Sequence, residues 1–482
     1  MDPLAPVREL LARLDAMQRE LDAVRAENAA LRAENAALRA ENAQLNARIA
    51  VLEDRLRANS SNSSKPPSSD GPAKPTPKGK PGKRHRGGQP GHPQHTRALL
   101  PADQVDHTHD VLPAACGHCA APLAGTDPEP ERHQQVDLPE KLRVVTEWRL
   151  HALTCPDCGR RTRATLAPQD VLAFGPRLHG LLALLVGRFH LSHRDVPELL
   201  DELFAITMSD GAVTDCVQRV SDALAAPVDA AAEAARAQPV AHVDETGWRV
   251  GARRAWLWVM ATTVATFFLV RRRRNQDVAR ELLGGFGGVV VSDRWSAYDY
   301  LDLLARQLCW AHLIREWQRF VDRGGPDAIV GEALQADTAR LFRWWHRVRD
   351  GTLAREVMIA RVARLKGQMR RHLTDGTLLG SAKTAGTCQE ILDRFEALWT
   401  FVATVGVEPT NNHAERAIRP AVLWRKGSFG NDAERGATFA ERILTVVATL
   451  RQHGRAILTF LVDALRAQFQ QTPAPSLIQA TT

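Results

Sequence analysis

Seven side chains stand out for the chemistry that their types and spacing allow. Asp244 ends an apolar run in HVDETGW, Asp293 ends another in VVVSDRW, and Glu415 opens a helical pattern in PTNNHAERAIRP. The ends of adjacent central strands lie side by side in a sheet, so Asp244 and Asp293 could share a cation. A helix crossing the same edge could supply the third carboxylate. This arrangement suits phosphoryl transfer on DNA, in which two Mg²⁺ ions about 4 Å apart activate the attacking oxygen and stabilise the leaving one. Magnesium takes few protein carboxylates and keeps waters and phosphate oxygens as its other ligands. Without a cation the clustered carboxylates would repel one another. The other four side chains are thiols, spaced as Cys116-x2-Cys119 and Cys155-x2-Cys158 in CGHC and CPDCG. Such knuckles turn backbone amides toward thiolates, and four sulfurs satisfy tetrahedral Zn²⁺.

Each feature also has a plainer reading. An Asp at a strand end is commonly a turn or cap residue. Glu245 competes with Asp244, although alternation along a strand puts it on the opposite side. Glu415 could complete a capping box with Asn412 and pair with Arg419. The CxxC units could be redox pairs, but two of them flanking a strand favour a structural metal site. Cys309-x2-His312 in CWAH could bind zinc with distant partners, organise the neighbouring helices, or be a buried thiol beside a hydrogen-bonded imidazole. The run Arg271–Arg274 could meet phosphate or be a solvated turn.

The elements that must position these residues can be read from periodicity. From residue 238, VAHVDETGWRV, AWLWVMATT and ATFFLVRRR predict three consecutive strands. QDVARELLGGFGG predicts a helix with a glycine exit, and GVVVSD a buried strand. Three antiparallel strands, a helix and a further strand match the opening of an RNase H-like α/β core. The stretch 309–373 is mostly helical and rich in Trp, Arg and Leu, and 440–467 forms one or two amphipathic helices. Upstream, 171–235 reads as short helices joined by Ser-Asp-Gly turns, resembling a helix-turn-helix. The run Leu142–Leu153 predicts a strand leading into the second knuckle.

Residues 10–56 keep an unbroken 4-3 apolar pattern, within which VRAENAA, LRAENAA and LRAENAQ repeat every seven residues. This is a coiled-coil seam. Asn28, Asn35 and Asn42 at a positions favour a two-stranded parallel arrangement, with Glu27 and Glu34 facing Arg32 and Arg39 of the partner. The plainer alternative is a long helix packed on its own protein.

The chain has 482 residues, a length that suggests about three domains of ~150 residues. Its 44% hydrophobic and 24% charged residues exclude disorder of the whole chain. The net charge of +8 is unevenly placed. Residues 59–100 carry Lys65, Lys74, Lys78, Lys80, Lys83, Arg84, Arg86 and Arg97 against Asp70 alone. That Ser-, Pro- and Gly-rich stretch cannot build a core. It is a solvated linker or a tether that tracks DNA phosphates. The start MDPLAPVREL lacks the pattern of a secretory signal, and no apolar stretch is long enough to span a bilayer. A soluble, cytoplasmic, nucleoid-associated protein is expected.

A series of ordered motifs then carries a resemblance. HVDETGW, VSDRWSAY, CWAHLIREW and TNNHAERAIRP, preceded by a coiled coil, NSSNSSKPPSSD, RGGQPGH and the paired CxxC units, resemble the transposases of the insertion sequence 66 family. The resemblance spans about residues 10–465. It implies a DDE transposase with an RNase H-like catalytic core, a helical insertion before the third acid and a zinc-binding element. The triad becomes Asp244, Asp293 and Glu415, holding Mg²⁺ or Mn²⁺, with structural Zn²⁺ on Cys116, Cys119, Cys155 and Cys158. Two positions depart from the family's habit: Arg294-Trp295 follows Asp293 where Gly-Tyr is frequent, and Thr410 stands where an Asp often precedes the Asn pair.

The expected architecture is therefore a multidomain α/β protein. Its segments are a coiled coil (1–58), a basic flexible linker (59–97), a zinc-binding domain (98–168) and a helical DNA-binding region (169–237). The catalytic core follows in two parts (238–312 and 409–470) around a helical insertion (313–408), with a disordered tail (471–482). Expected partners are double-stranded DNA, as terminal inverted repeats and target, and further copies of the chain, with room for accessory transposition proteins and none for a membrane. The competing expectation is a zinc-dependent DNA-binding regulator or an inactive transposase relic.

Overall fold

The computed structural model describes residues 5–57, 59, 62, 98–139, 142–167 and 170–478. Apart from residues 59 and 62, the basic linker expected over 59–97 lies outside them. Helix α1, Ala5–Arg57, is one uninterrupted helix through the heptad region. Its seam side chains, including Leu14, Leu31, Leu38 and Leu45, are exposed on the single chain. The amides of Asn28 and Asn35 bond back to the carbonyls of Val24 and Leu31.

Two compact units divide the chain: residues 1–74, 228–437 and 477–482 form one, and 75–227 with 438–476 the other. The second unit holds the knuckles and a helical cluster. Strands β1 (Ala152–Thr154) and β2 (Arg161–Arg163) form a short antiparallel hairpin around Cys155 and Cys158. The strand expected over Leu142–Leu153 is thus confined to its last residues and Thr154. Val144 and Val145 upstream are exposed, and an amphipathic run without a ladder to join does not settle into a strand.

Helices α2 (Pro176–Phe189), α3 (Asp195–Phe204), α4 (Asp210–Ala223) and α5 (Ala225–Arg236) follow. Ser209 caps α4 by accepting from the Ala212 N–H, as the Ser-Asp-Gly turn predicts. The division between the units falls within α5.

The first unit is built on a five-stranded sheet of order β5-β4-β3-β6-β7. Strands β3 (Val240–Val250), β4 (Arg253–Ala261) and β5 (Thr266–Arg271) pair antiparallel as successive hairpins. Helix α6 (Gln276–Leu283), capped by Asn275, then returns the chain to β6 (Val289–Ser292). Strand β6 pairs parallel with β3, and β7 (Arg306–Leu308) pairs parallel with β6. The central strands are buried on both faces, as their continuous apolar runs require.

Beyond β7 come α7 (Trp310–Arg323), α8 (Gly325–Arg349), α9 (Arg355–Leu379), α10 (Ala382–Asp393) and the short α11 (Thr400–Ala403). On α7, Trp310, Leu313, Trp317 and Phe320 recur at helical spacing and are fully buried in one core with Leu334, Leu341, Leu365 and Phe401. Burying each such side chain contributes about 1.5–3 kcal/mol. Helix α12 (Asn412–Ser428) packs on β3 and β4.

Helix α13 (Glu434–Gln452) contains the second division between the units, and α14 (Ile457–Gln470) packs on α2 and α4 in the second unit. The helices there approach closely. A Cβ on Gly187 of α2 would lie 2.4 Å from Ile443. Of the tail expected over 471–482, residues 471–478 are described: Ser476 accepts from Arg455, and Leu477 is buried. Among the described residues, no helix is long and apolar enough to cross a membrane.

Candidate active site

Asp244 lies inside β3 rather than at the end of the first strand, since β3 occupies the whole of the VAHVDETGWRV run. Pairing with β4 runs on to Val250, whereas the parallel pairing with β6 stops at His242 opposite Val291. Asp244 therefore stands two residues past the last β3–β6 pair, where the sheet opens. Asp293 follows the last residue of β6 directly. Its carboxylate accepts from the Trp295 N–H, which curls the chain into a tight turn.

That turn is braced by Arg306, whose side chain is fully buried. Its guanidinium donates to the carbonyls of Asp293 (3.0 Å) and Trp295 (3.1 Å), to Ser292 Oγ and to the Asp299 carboxylate. Sequence reasoning passed over Arg306, since an arginine in a short strand carries no local sign of burial.

Glu415 sits in the first turn of α12, its N–H bonded to the Asn411 carbonyl. Asn411 is itself buried and holds three segments together. Its side-chain N–H donates to the Val243 carbonyl, its backbone N–H to Cys309 Sγ, and its Oδ1 lies 3.3 Å from His242 Nδ1. The Trp310 N–H donates to the Pro409 carbonyl one step earlier. The start of α12 is thereby tied to β3 beside Asp244 and to the start of α7. Burial, followed by the charges of Glu245, Asp293 and Glu415, raises the Asp244 carboxyl well above the usual range, against the Glu245 N–H that it accepts. Acids of two other segments thus bear on Asp244.

Glu245 has a setting of its own. It accepts from Arg274 at 2.6 Å and from the Tyr298 hydroxyl at 3.1 Å. Burial and Asp293 push its carboxyl up to about 7, opposed by Arg274 and Tyr298. Arg274 also lies over the rings of Trp256 and Trp295, 4.9 and 4.1 Å from their centroids. Three of the four arginines of the run 271–274 pair with carboxylates, and Arg273 is exposed. Arg271 pairs with Glu281, Arg272 with Glu434 and Arg274 with Glu245. A run of like charge at the end of a strand recruits carboxylates from whichever elements pack beside it. Arg294, next to Asp293, is likewise taken up by Glu316 and Glu390.

Cys309 is the residue before α7, and His312 lies in the first turn. Burial pushes the Cys309 thiol up to about 11. His312 Nδ1 is 3.8 Å from Glu415 Oε1, and Arg315 is 3.9 Å from the same oxygen. Among the described residues, the group of at least three His, Cys, Asp or Glu side chains whose ligand atoms lie within 4.8 Å of one another is Cys309, His312 and Glu415. The Asp244–Asp293–Glu415 trio is not drawn together that tightly, and neither are the four knuckle thiols.

The knuckles form locally. In each, the first cysteine's carbonyl accepts from a residue beyond the second cysteine: Ala120 for Cys116, Gly159 for Cys155. Backbone N–H groups of Cys119 and His118 lower the Cys116 thiol, and those of Cys158 and Asp157 lower that of Cys155.

Asp244 on β3, Asp293 after β6 and Glu415 on α12 thus make a candidate carboxylate-centred site in a mixed α/β protein. The chain belongs to the transposase IS66 family, whose sequence profile matches residues 173–439, more than half of its length. Residues 13–98 match a second family, of unknown function. Two uncharacterized proteins of Sinorhizobium fredii are similar. The protein y4qI is 27% identical over 253 residues, 46% of this chain and 46% of that protein. The protein y4hP is 25% identical over 413 residues, 75% of this chain and 72% of that protein. The chain thus spans about half the length of the first relative.

Proposed function

We propose that this protein is a DDE transposase with an RNase H-like core, in which Asp244, Asp293 and Glu415 serve metal-dependent 3′-end cleavage and strand transfer of an insertion sequence. The observation that carries the reading is the placement of the three segments: Asp244 stands two residues past the last β3–β6 pair, Asp293 directly follows β6, and Asn411, at the start of the helix that carries Glu415, hydrogen-bonds to the Val243 carbonyl. Carboxylates so placed repel one another until a cation meets them. Three carboxylates are a donor set for Mg²⁺ or Mn²⁺. When bound, such ions supply activation of the attacking water or 3′-hydroxyl and stabilisation of the leaving oxygen. The strand order, with three antiparallel strands followed by two parallel ones, supports the RNase H-like reading.

The chain's own residues position the acids. Arg306 fixes the turn that carries Asp293, and Asn411 fixes the start of the helix that carries Glu415. Glu245 faces Arg274 and Tyr298 and serves as a buried counter-charge beside the triad. Cys116, Cys119, Cys155 and Cys158 would hold a structural Zn²⁺, since each pair already aims backbone amides at a thiol. Segment 98–168, the helices of 169–237 and the basic stretch 59–97 would bind the element's terminal repeats and target. The exposed seam of α1 would take a second copy of the chain.

The test is incubation with Mg²⁺ and DNA carrying the sequences that flank the gene. Cleavage at the element's 3′ ends and joining to target DNA are expected. Asp244→Asn or Glu415→Gln should abolish both while leaving terminal-DNA binding intact. Full activity in either variant would overturn the assignment. Binding without cleavage by the unaltered protein would favour a DNA-binding regulator or an inactive relic.

A further inference from the structure

We propose a second metal site, for a thiophilic divalent cation such as Zn²⁺, formed by Cys309, His312 and Glu415. The three ligand atoms lie within 4.8 Å of one another, and a tetrahedral zinc bound at about 2.0–2.3 Å by sulfur, nitrogen and oxygen would draw them to about 3.5 Å apart. Two of its three donors, the thiolate sulfur and the imidazole nitrogen, suit Zn²⁺ better than Mg²⁺, and the carboxylate accepts either. His312 Nδ1 and Glu415 Oε1 are 3.8 Å apart, and both are buried without a hydrogen-bond partner. Two unsatisfied buried polar atoms facing each other are costly unless something lies between them.

The sulfur is equally prepared. Cys309 is fully buried, and its Sγ accepts the Asn411 N–H at 3.2 Å. A cysteine and a histidine separated by two residues at a helix start repeat the logic of a zinc knuckle, in which amides face the metal-bound thiolate. Arg315 approaches the same Glu415 oxygen at 3.9 Å, and Asp293 lies close enough for its charge to act on His312. A cation here would thus join a cluster of mixed sign rather than a bare acidic one. It would clamp the start of α7 to the start of α12 through Glu415 Oε1, so that Oε2 is the oxygen left for the cation of the proposed triad. The ion would be a positioning element, distinct in chemistry from the Mg²⁺ or Mn²⁺ of the proposed triad. The site rests on the position of Glu415, and only the clamp's consequence rests on its proposed catalytic role.

The experiment is a Co²⁺ titration of the metal-free, full-length protein, following the visible d–d bands and the near-ultraviolet thiolate-to-cobalt band. The knuckle thiols also take cobalt, so the reading is the difference between the parent and Cys309→Ser. The parent should bind about one equivalent more per chain, with the extra absorption of a single-thiolate site. His312→Ala, altering a side chain that is 21% exposed, is the second variant should Cys309→Ser fail to fold. Equal stoichiometry and spectra in parent and variant would overturn the proposal and leave a buried thiol beside a neutral imidazole. Asp244→Asn should keep the full cobalt equivalent while losing Mg²⁺-dependent cleavage. Failure of the triad reading is therefore seen separately from failure of this site.

Discussion

The side-chain amide of Asn411 donates to the main-chain carbonyl of Val243 over 2.7 Å, across 168 residues of sequence. Val243 precedes Asp244, and Asn411 starts the helix that carries Glu415, so one hydrogen bond links the segments of two acids. Asn411→Ala removes the donor and leaves a buried carbonyl short of a partner, which costs about 1–3 kcal/mol. Asn411→Asp should fare no better, because a carboxylate cannot donate. Urea unfolding of the purified variants measures this, and a change within about 0.5 kcal/mol would show that the link carries little.

Arg306 makes the larger demand. Its guanidinium satisfies two backbone carbonyls and a serine hydroxyl around Asp293, so Arg306→Met strips several buried acceptors at once. Asp299 keeps Arg394 as a partner, which limits the electrostatic part of the loss. A destabilisation of about 3 kcal/mol or more is expected. Arg306→Lys should recover only a fraction, since an ammonium cannot reproduce the planar fork. Equal stability of the lysine variant and the parent would contradict this account of the turn.

The seven cysteines should fall into two classes of reactivity. Cys216, Cys309 and Cys388 are buried, and burial pushes Cys216 and Cys388 up to about 11 and about 12. Cys119 and Cys158 are exposed, with Cys116 and Cys155 only half-buried beside them. Thiolate is the reactive form, so a disulfide reagent should modify the knuckle thiols of metal-free protein within minutes and the buried ones only after denaturation. Stoichiometric Zn²⁺ should protect the knuckle thiols together. Protection of one pair without the other would rule out a shared four-sulfur site.

Much of this architecture was legible in local pattern. The heptads of α1, the three hairpin strands, the cap at Ser209 and the buried VVVS strand all follow from periodicity and turn chemistry that act within a few residues. The run VAHVDETGWRV coincides with β3, so the strand was legible, but the point at which β6 stops accompanying it, two residues before Asp244, was not. The missing strand before the second knuckle has the same cause, since the run Leu142–Leu153 carries the pattern and only its end meets a ladder. Arg306, Asn411 and the Arg274–Glu245 pair are long-range solutions to burial. Their sequence neighbours hold no trace of the carbonyls and carboxylates that they satisfy. The proximity of His312 to Glu415 is of this kind too: the CWAH spacing points to a Cys/His pair, and only the fold supplies its acidic neighbour.

The central claim, that Asp293 ligates a catalytic cation together with Asp244 and Glu415, is tested most directly by exchanging the metal preference of a single ligand. Asp293→Cys replaces a hard oxygen by a softer sulfur, a poor ligand for Mg²⁺ and a better one for Mn²⁺. Strand cleavage at the element's ends should be lost in Mg²⁺ and regained in part in Mn²⁺. Cleavage by Asp293→Cys in Mg²⁺ at the rate of the unaltered protein would contradict the claim.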